Sequence, residues 1–184
     1  TSKAAVARAA LAAGATYVND VTAFRGDPAL AALVAEAGAD CCLMHMRGEP
    51  RTMQADPRYG DVVAEVAAFL EERAGFAVAE GVAPERIRVD PGIGFGKTLE
   101  HNLELLRRLP EIAALGFPVL VGVSRKSFLA RLTGTEPGPG LAAATAAANV
   151  LAYERGASAF RVHDVRATAD ALRVAAATFA DDDA

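Results

Sequence analysis

The 184-residue chain reads as an α/β protein on a parallel sheet, a (β/α)8 (TIM) barrel that is incomplete, with about five βα units. Three observations predict this. Short runs rich in β-branched residues alternate with longer stretches of helical period. The runs are apolar throughout rather than at alternate positions, as in strands buried on both faces. Polar residues gather at their C-terminal ends: Asn19 and Asp20, His45 and Arg47, Asp90, Ser124 to Lys126, then Arg161, His163 and Asp164. The first two observations also suit a doubly wound open sheet. The third favours the barrel, whose site is built from many strand ends on one face, over an open sheet, which binds at a switch point.

An alanine-rich helix near 3–13 ends at Gly14 and leads into the strand "TYVNDV". Asp27 and Pro28 cap and open a second helix that runs to Gly38, before the strand "ADCCLMHM". The polar loop "RGEPRTMQADPRYG" precedes a long helix from Asp61 to about Glu80, and "RIRVDPG" is the third strand. A helix follows from Thr98 to about Leu115, then the strand "FPVLVGVS". Helical segments around 126–133 and 140–155 flank the breaker "TEPGPG". "SAFRVHDV" is the last strand and 166–179 the last helix, with a frayed "DDDA" terminus expected. The whole of 1–184 is read as one domain.

A hydrophobic fraction of 52%, a charged fraction of 23% and a net charge of -4 exclude a disordered chain and a general nucleic-acid binder. Cys41 and Cys42, adjacent in an apolar run, form no disulfide framework and suit a reducing compartment. No apolar run reaches the roughly 18 residues of a membrane helix, and the N-terminal "TSKAAVARAALAAG" has no signal-peptide core. A cytoplasmic location is expected.

"DPGIGFGKT", Asp90 to Thr98, imitates a phosphate loop without its spacing. The position five before Gly96 is Pro91, and Gly92, Gly94 and Gly96 merely alternate, so neither G-x-x-x-x-G-K-[ST] nor G-x-G-x-x-G is met. What remains is a strand-end carboxylate before a turn that lets backbone and ligand approach closely. Asp90 either caps that turn or accepts two hydrogen bonds from an amidine-like ring edge. Asn19 offers a donor and an acceptor to a heterocycle, or serves as a turn residue. Met44 and Phe95 would flank a flat ring, or belong to the core.

"SRKSF" places Lys126 and Ser127 where a strand becomes a helix, an anion site by charge and by free N–H groups. Arg161 and His163, two apart on one predicted strand, would point the same way, and an inward arginine suggests phosphate recognition. A zinc site from His45 and His163 lacks any ligand spacing. His101, within a helix, is expected at the surface.

Taken together, "NDV", "CLMHMRGEPRTMQ", "DPGIGFGK", "GVSRKSF" and "RVHDV", in this order, resemble the dihydropteroate synthase family. The resemblance covers essentially the whole chain. It implies a (β/α)8 barrel that joins (7,8-dihydropterin-6-yl)methyl diphosphate to p-aminobenzoate, giving dihydropteroate and pyrophosphate for folate synthesis, with sulfonamides competing for the aminobenzoate place. It further implies Asn19, Asp90 and Lys126 on the pterin, with Met44 and Phe95 around it. Arg161 and His163 would hold the pyrophosphate, Arg161 also lying on the pterin face, and Ser127 would meet the aminobenzoate carboxylate. The catalytic set is then Lys126, Arg161 and His163.

The family also uses Mg²⁺, held with pyrophosphate by an asparagine of its first strand, and a second pterin-binding aspartate on its third. Neither lies within Thr1–Ala184, so the chain is expected to be the C-terminal part of such a barrel, lacking three βα units and inactive alone. A homodimer, or another chain completing the barrel, is the expected protein partner, and no nucleic acid or membrane is expected. Alternatives are a pterin-dependent methyltransferase, which has no need of "SRKSF" and "RVHD", and a non-catalytic pterin-binding or partner protein.

Overall fold

A computed structural model describes residues 1–179; the "DDDA" terminus expected to fray lies outside them. The elements follow in the order α1 (Ala4–Ala12), β1 (Tyr17–Asp20), α2 (Ala29–Glu36), β2 (Asp40–Met44), α3 (Val62–Ala79) and β3 (Ile87–Asp90). Next come α4 (Leu99–Arg107), α5 (Leu109–Ala113), β4 (Val119–Val121), α6 (Ser127–Thr133), α7 (Ala142–Glu154), β5 (Ala157–Phe160) and α8 (Val165–Phe179). All four strand pairings are parallel and the sheet order is β1-β2-β3-β4-β5. A doubly wound sheet would reverse its strand order at a switch point. Here it never reverses, which settles the choice left open by the strand pattern.

The two sheet faces differ in chemistry. On one face Val18, Cys41, Leu43 and Ile87 pack against Leu30, Ala31 and Val34 of α2 and Ala74 and Ala77 of α3. Val89, Val119 and Val121 continue that face against Leu105, Ile112 and Phe128. Because strand side chains alternate, the opposite face carries Tyr17 and Asn19, Cys42 and Met44, and Arg88 and Asp90, with Cys42 paired to Arg88 and Met44 to Asp90. This is the concave, barrel-interior face of a five-stranded arc. Burying the first face in two large apolar clusters holds the arc rigid, at roughly 25 cal/mol for each Å² removed from water.

Two sequence expectations need correction. The helix expected from Thr98 to Leu115 breaks at Arg108, which leaves helical dihedrals (φ -102, ψ 23) ahead of Pro110 in the first turn of α5. Proline has no N–H for the ladder and clashes with the preceding turn. His101 is half-buried rather than at the surface. Its ring accepts the Thr98 N–H while the Thr98 hydroxyl accepts the His101 N–H, a closed capping box. No described helix is long and apolar enough to cross a membrane.

Candidate active site

Asp90 ends β3 with 1% of its surface exposed. Its Oδ1 accepts the Gly92 N–H at 2.8 Å and its Oδ2 accepts from Arg161 Nη2 at 2.9 Å. The other arm of that guanidinium, Nη1, donates to Asn19 Oδ1 at 3.0 Å. One arginine from the end of β5 thus spans the concave face to β3 and β1. Gly122, just past β4, makes room for it: a Cβ there would sit 2.7 Å from Arg161 Nη2.

The glycine turn has a physical requirement at two positions. A Cβ on Gly92 (φ +67) would fall 1.8 Å from the His45 carbonyl oxygen, and one on Gly96 (φ +63) 2.2 Å from that of Arg47. Both lie in the left-handed region, and both press against the backbone that continues β2. Phe95 N–H closes the turn onto the Gly92 carbonyl at 3.0 Å, and Asn102 Oδ1 of α4 accepts the Gly94 N–H at 2.7 Å.

Two lysines bracket this turn. Lys126 donates to the Ile93 carbonyl, its ammonium 4.5 Å from the Phe95 ring centroid. The residue before it, Arg125, adopts a left-handed φ of 58. Burial pushes Lys126 down to about 8, with Asp90 opposing and Arg161 adding to the shift. Lys97, 3% exposed, lies behind the turn and donates to the Gly92 and Phe95 carbonyls at 3.0 and 3.1 Å. It also meets His45 Nδ1 at 2.9 Å. Burial pushes Lys97 down to about 7, with Asp90 opposing and Lys126 and Arg47 reinforcing. Burial first, then the Lys97 charge, pushes His45 down to about 3, so His45 is neutral and accepts through Nδ1.

Of the sequence-predicted residues, Asn19, Asp90 and Arg161 form one hydrogen-bonded cluster. Met44 is fully buried beside Asp90 in the sheet register, and Phe95 is half-buried under Lys126. Arg161 and His163 do not share a strand, because β5 ends at Phe160, so strand alternation does not govern them. Arg161 crosses to β3, whereas His163 turns to Ser124. The Ser124 hydroxyl accepts the His163 backbone N–H at 3.2 Å and lies 3.0 Å from Nδ1, to which it can donate. No described residue hydrogen-bonds the His163 Nε2. Ser127 is exposed and stands apart from the cluster. It lines a cavity of about 400 Å³ with Gln54, Lys97 and Arg131. A further cavity of about 780 Å³ lies elsewhere, between Arg25, Arg47 and the α3 residues Glu65 and Phe69.

His45 and His163 serve separate partners, Lys97 and Ser124, and so do not make a zinc pair. Among the described residues no three carboxylate, imidazole or thiol groups converge on a metal position. Asp90 is the only carboxylate in the cluster and already carries a cation. These residues alone do not fit a Mg²⁺ shell. Gly122, Lys97, Asn102 and the pairing role of Ser124 were missed in the sequence. The lysine stood in plain view in "FGK", but nothing local says that its side chain turns inward.

A parallel arc whose strand ends gather a buried carboxylate, an amide, a close-approach glycine turn and several cations has the layout of the ligand-binding end of a barrel. The family comparison agrees: residues 1–163 match the model of the pterin binding enzymes, and the chain belongs to that family. It is 51% identical to dihydropteroate synthase of Mycobacterium leprae over 184 residues, covering 96% of this chain and 64% of that protein. The dihydropteroate synthase of Thermus thermophilus in complex with 6HMPPP superimposes with a TM-score of 0.93 at 49% identity, over 98% of this chain and 71% of that one. The Xanthomonas albilineans enzyme in complex with 7,8-dihydropteroate gives 0.91 at 46% identity, over 98% and 66%. The chain spans about 62% of the length of the first curated relatives it matches.

Proposed function

We propose that this pocket serves dihydropteroate synthesis, holding the dihydropterin of (7,8-dihydropterin-6-yl)methyl diphosphate for transfer to p-aminobenzoate. The observation that carries the reading is the place of the Arg161 guanidinium. It spans Asp90 Oδ2 and Asn19 Oδ1 with two N–H donors, and the 2-amino-pyrimidine edge of a pterin has the same planar N–C–N donor pattern. A pterin entering this pocket takes over the acceptors that Arg161 uses without it. The displaced guanidinium, 41% exposed on its side chain, is then free to pair with the diphosphate.

The chemistry follows from the groups at hand. The C–O bond between the pterin methylene and the diphosphate breaks, with its electron pair leaving on pyrophosphate, and the electron-rich ring delocalises the methylene cation. The aromatic amine of p-aminobenzoate forms the new C–N bond and releases one proton to solvent. Arg161 and the imidazole of His163 stabilise the departing anion electrostatically, while Lys126 and the glycine turn hold the ring. The 400 Å³ cavity beside Ser127 and Arg131 accords with a carboxylate-bearing second substrate. Mg²⁺ belongs to this reading through the family resemblance of the sequence alone, and no step is routed through it. Further strands, or another chain, would pair along β1 and β5, each of which has one described strand neighbour. Two buried free thiols, Cys41 and Cys42, accord with a cytoplasmic setting.

Asp90→Asn tests the proposal by calorimetry with 6-hydroxymethylpterin. One acceptor oxygen becomes a donor facing a ring N–H, so affinity falls by roughly 1.5–3 kcal/mol, the worth of a hydrogen bond to a charged group. Circular dichroism should show the fold unchanged. Unaltered pterin affinity removes Asp90 from the site and with it the reading.

A further inference from the structure

Lys97 is not needed by the chemistry just described, yet it is among the most deeply placed charges of the chain. Its ammonium has three N–H groups and meets three acceptors: the Gly92 carbonyl, the Phe95 carbonyl and His45 Nδ1. No carboxylate is within ion-pair distance of it among the described residues. It therefore gains nothing from a salt bridge, and its partners are the turn itself. The two carbonyls belong to the first and last residues of the four-residue turn closed by Phe95 N–H. His45 belongs to the segment on which Gly92 presses. The lysine thus ties the turn from behind to the end of β2, while its front presents Asp90, the Ile93 carbonyl and the Phe95 ring.

We propose that Lys97 is a positioning residue whose ammonium sets the shape of the 92–95 turn, so that the pocket takes a pterin well only while all three of its donors are engaged. The proposal rests on the pterin reading for its ligand but not for its geometry. An amine has two N–H donors and cannot serve three acceptors. On deprotonation the amine keeps two donors and gains a lone pair, so its contact with His45 survives only if the neutral imidazole moves its one proton from Nε2 to Nδ1 and donates instead of accepting. Without that exchange one acceptor is left buried without a partner, and with it the tie between the turn and the end of β2 is reversed in direction, so either way the turn readjusts. The other charged and titratable groups around the ammonium are Arg47 and Tyr59 beyond β2, Asp90 on β3 and Lys126 ahead of α6. Burial pushes Tyr59 up to about 12, well above the range in question. With Lys97 lowered to about 7, the loss falls in a range open to experiment, below the Lys126 step near 8.

The sign differs for folding and for binding. Lys97 has a folded pKa below its unfolded one, so its burial costs stability below about pH 7, and this cost is relieved as pH rises towards the unfolded value. Pterin affinity moves the opposite way, falling as pH rises through about 7, because binding favours the protonated clamp.

Backbone-amide NMR of the ligand-free chain from pH 6 to 9 tests the clamp, and calorimetry with 6-hydroxymethylpterin across the same range tests its consequence. The Gly92, Gly94 and Phe95 amides should show a step near pH 7 that is absent from Lys97→Met, which keeps the buried stem and loses the donors. Pterin affinity of the wild type should fall about tenfold per pH unit above that step, relative to the variant measured at the same pH. The variant should bind at least tenfold more weakly at pH 6. Turn amides that show no such step in the wild type overturn the proposal whatever binds and whether or not the variant folds. A step in the amides with pH-matched affinities that run parallel in the two proteins overturns the positioning role. A normal step in a chain that binds no pterin at any pH refutes the pterin reading and leaves the clamp standing.

Discussion

Gly122→Ala isolates the geometry of the Arg161 bridge, because the added methyl meets the guanidinium first. The new Cβ would lie 2.7 Å from Nη2, 3.2 Å from Cζ and 3.3 Å from Nε of Arg161. Ordinary contact needs about 3.5–4.0 Å, so the guanidinium must retreat by on the order of 0.8 Å. Gly122 is not among the residues with positive φ, so alanine strains no backbone there and the clash is the whole perturbation. The retreat stretches bonds of 2.9 Å to Asp90 and 3.0 Å to Asn19 past useful length. A hydrogen bond to a charged group is worth roughly 1.5–3 kcal/mol. The arginine side chain is 41% exposed, and solvent screening lowers that to about 1–2 kcal/mol. With an m-value of about 2 kcal/mol/M, urea unfolding should show a midpoint lowered by about 0.5–1 M. The decisive measurement is the same substitution in an Arg161→Ala background, where the atom it strikes is gone. There Gly122→Ala should cost less than about 0.5 kcal/mol, the usual limit of additivity for uncoupled sites. Equal losses in both backgrounds, or no loss in the first, would refute the bridge as the reason for the glycine.

Two further outcomes are expected. His45 holds a folded pKa near 3 against about 6.5 unfolded, so its share of stability is present above pH 6.5 and drains away as pH falls towards 3. Urea midpoints between pH 7 and 4 should therefore decline less in His45→Gln than in the wild type, and parallel declines would contradict the buried neutral imidazole. Cys41 and Cys42 are both fully buried, and burial, with Asp40 adding, raises the Cys41 thiol to about 12. Burial likewise raises Cys42 above its ordinary range. A thiol reagent at pH 8 should label neither in the native chain and both in urea, and prompt native labelling would mean that the sheet opens.

The sequence by itself determined the order and type of nearly every element. It also determined that polar groups gather at strand ends, and that "DPGIGFGK" is a turn needing glycine rather than a nucleotide loop. These depend on hydrophobic period, turn chemistry and spacing, all of which act within a few residues of one another. The polar strand ends already favoured a barrel-type arc over a doubly wound sheet, and the strand order bears that out, whereas the apolar runs alone suit both. Only the tertiary structure decided which polar groups meet. Arg161 finds Asn19 across 142 residues and Asp90 across 71, contacts set by sheet register and curvature that no local pattern encodes. The same holds for Ser127, which shares the "SRKSF" stretch with Lys126 but lines a cavity in which Lys126 takes no part, and for His163, placed beyond β5 rather than on it. Lys97 marks the limit most clearly. A lysine after a glycine turn has every local reason to reach water, and it turns inward because three acceptors from two separate strand ends converge where only folding could bring them.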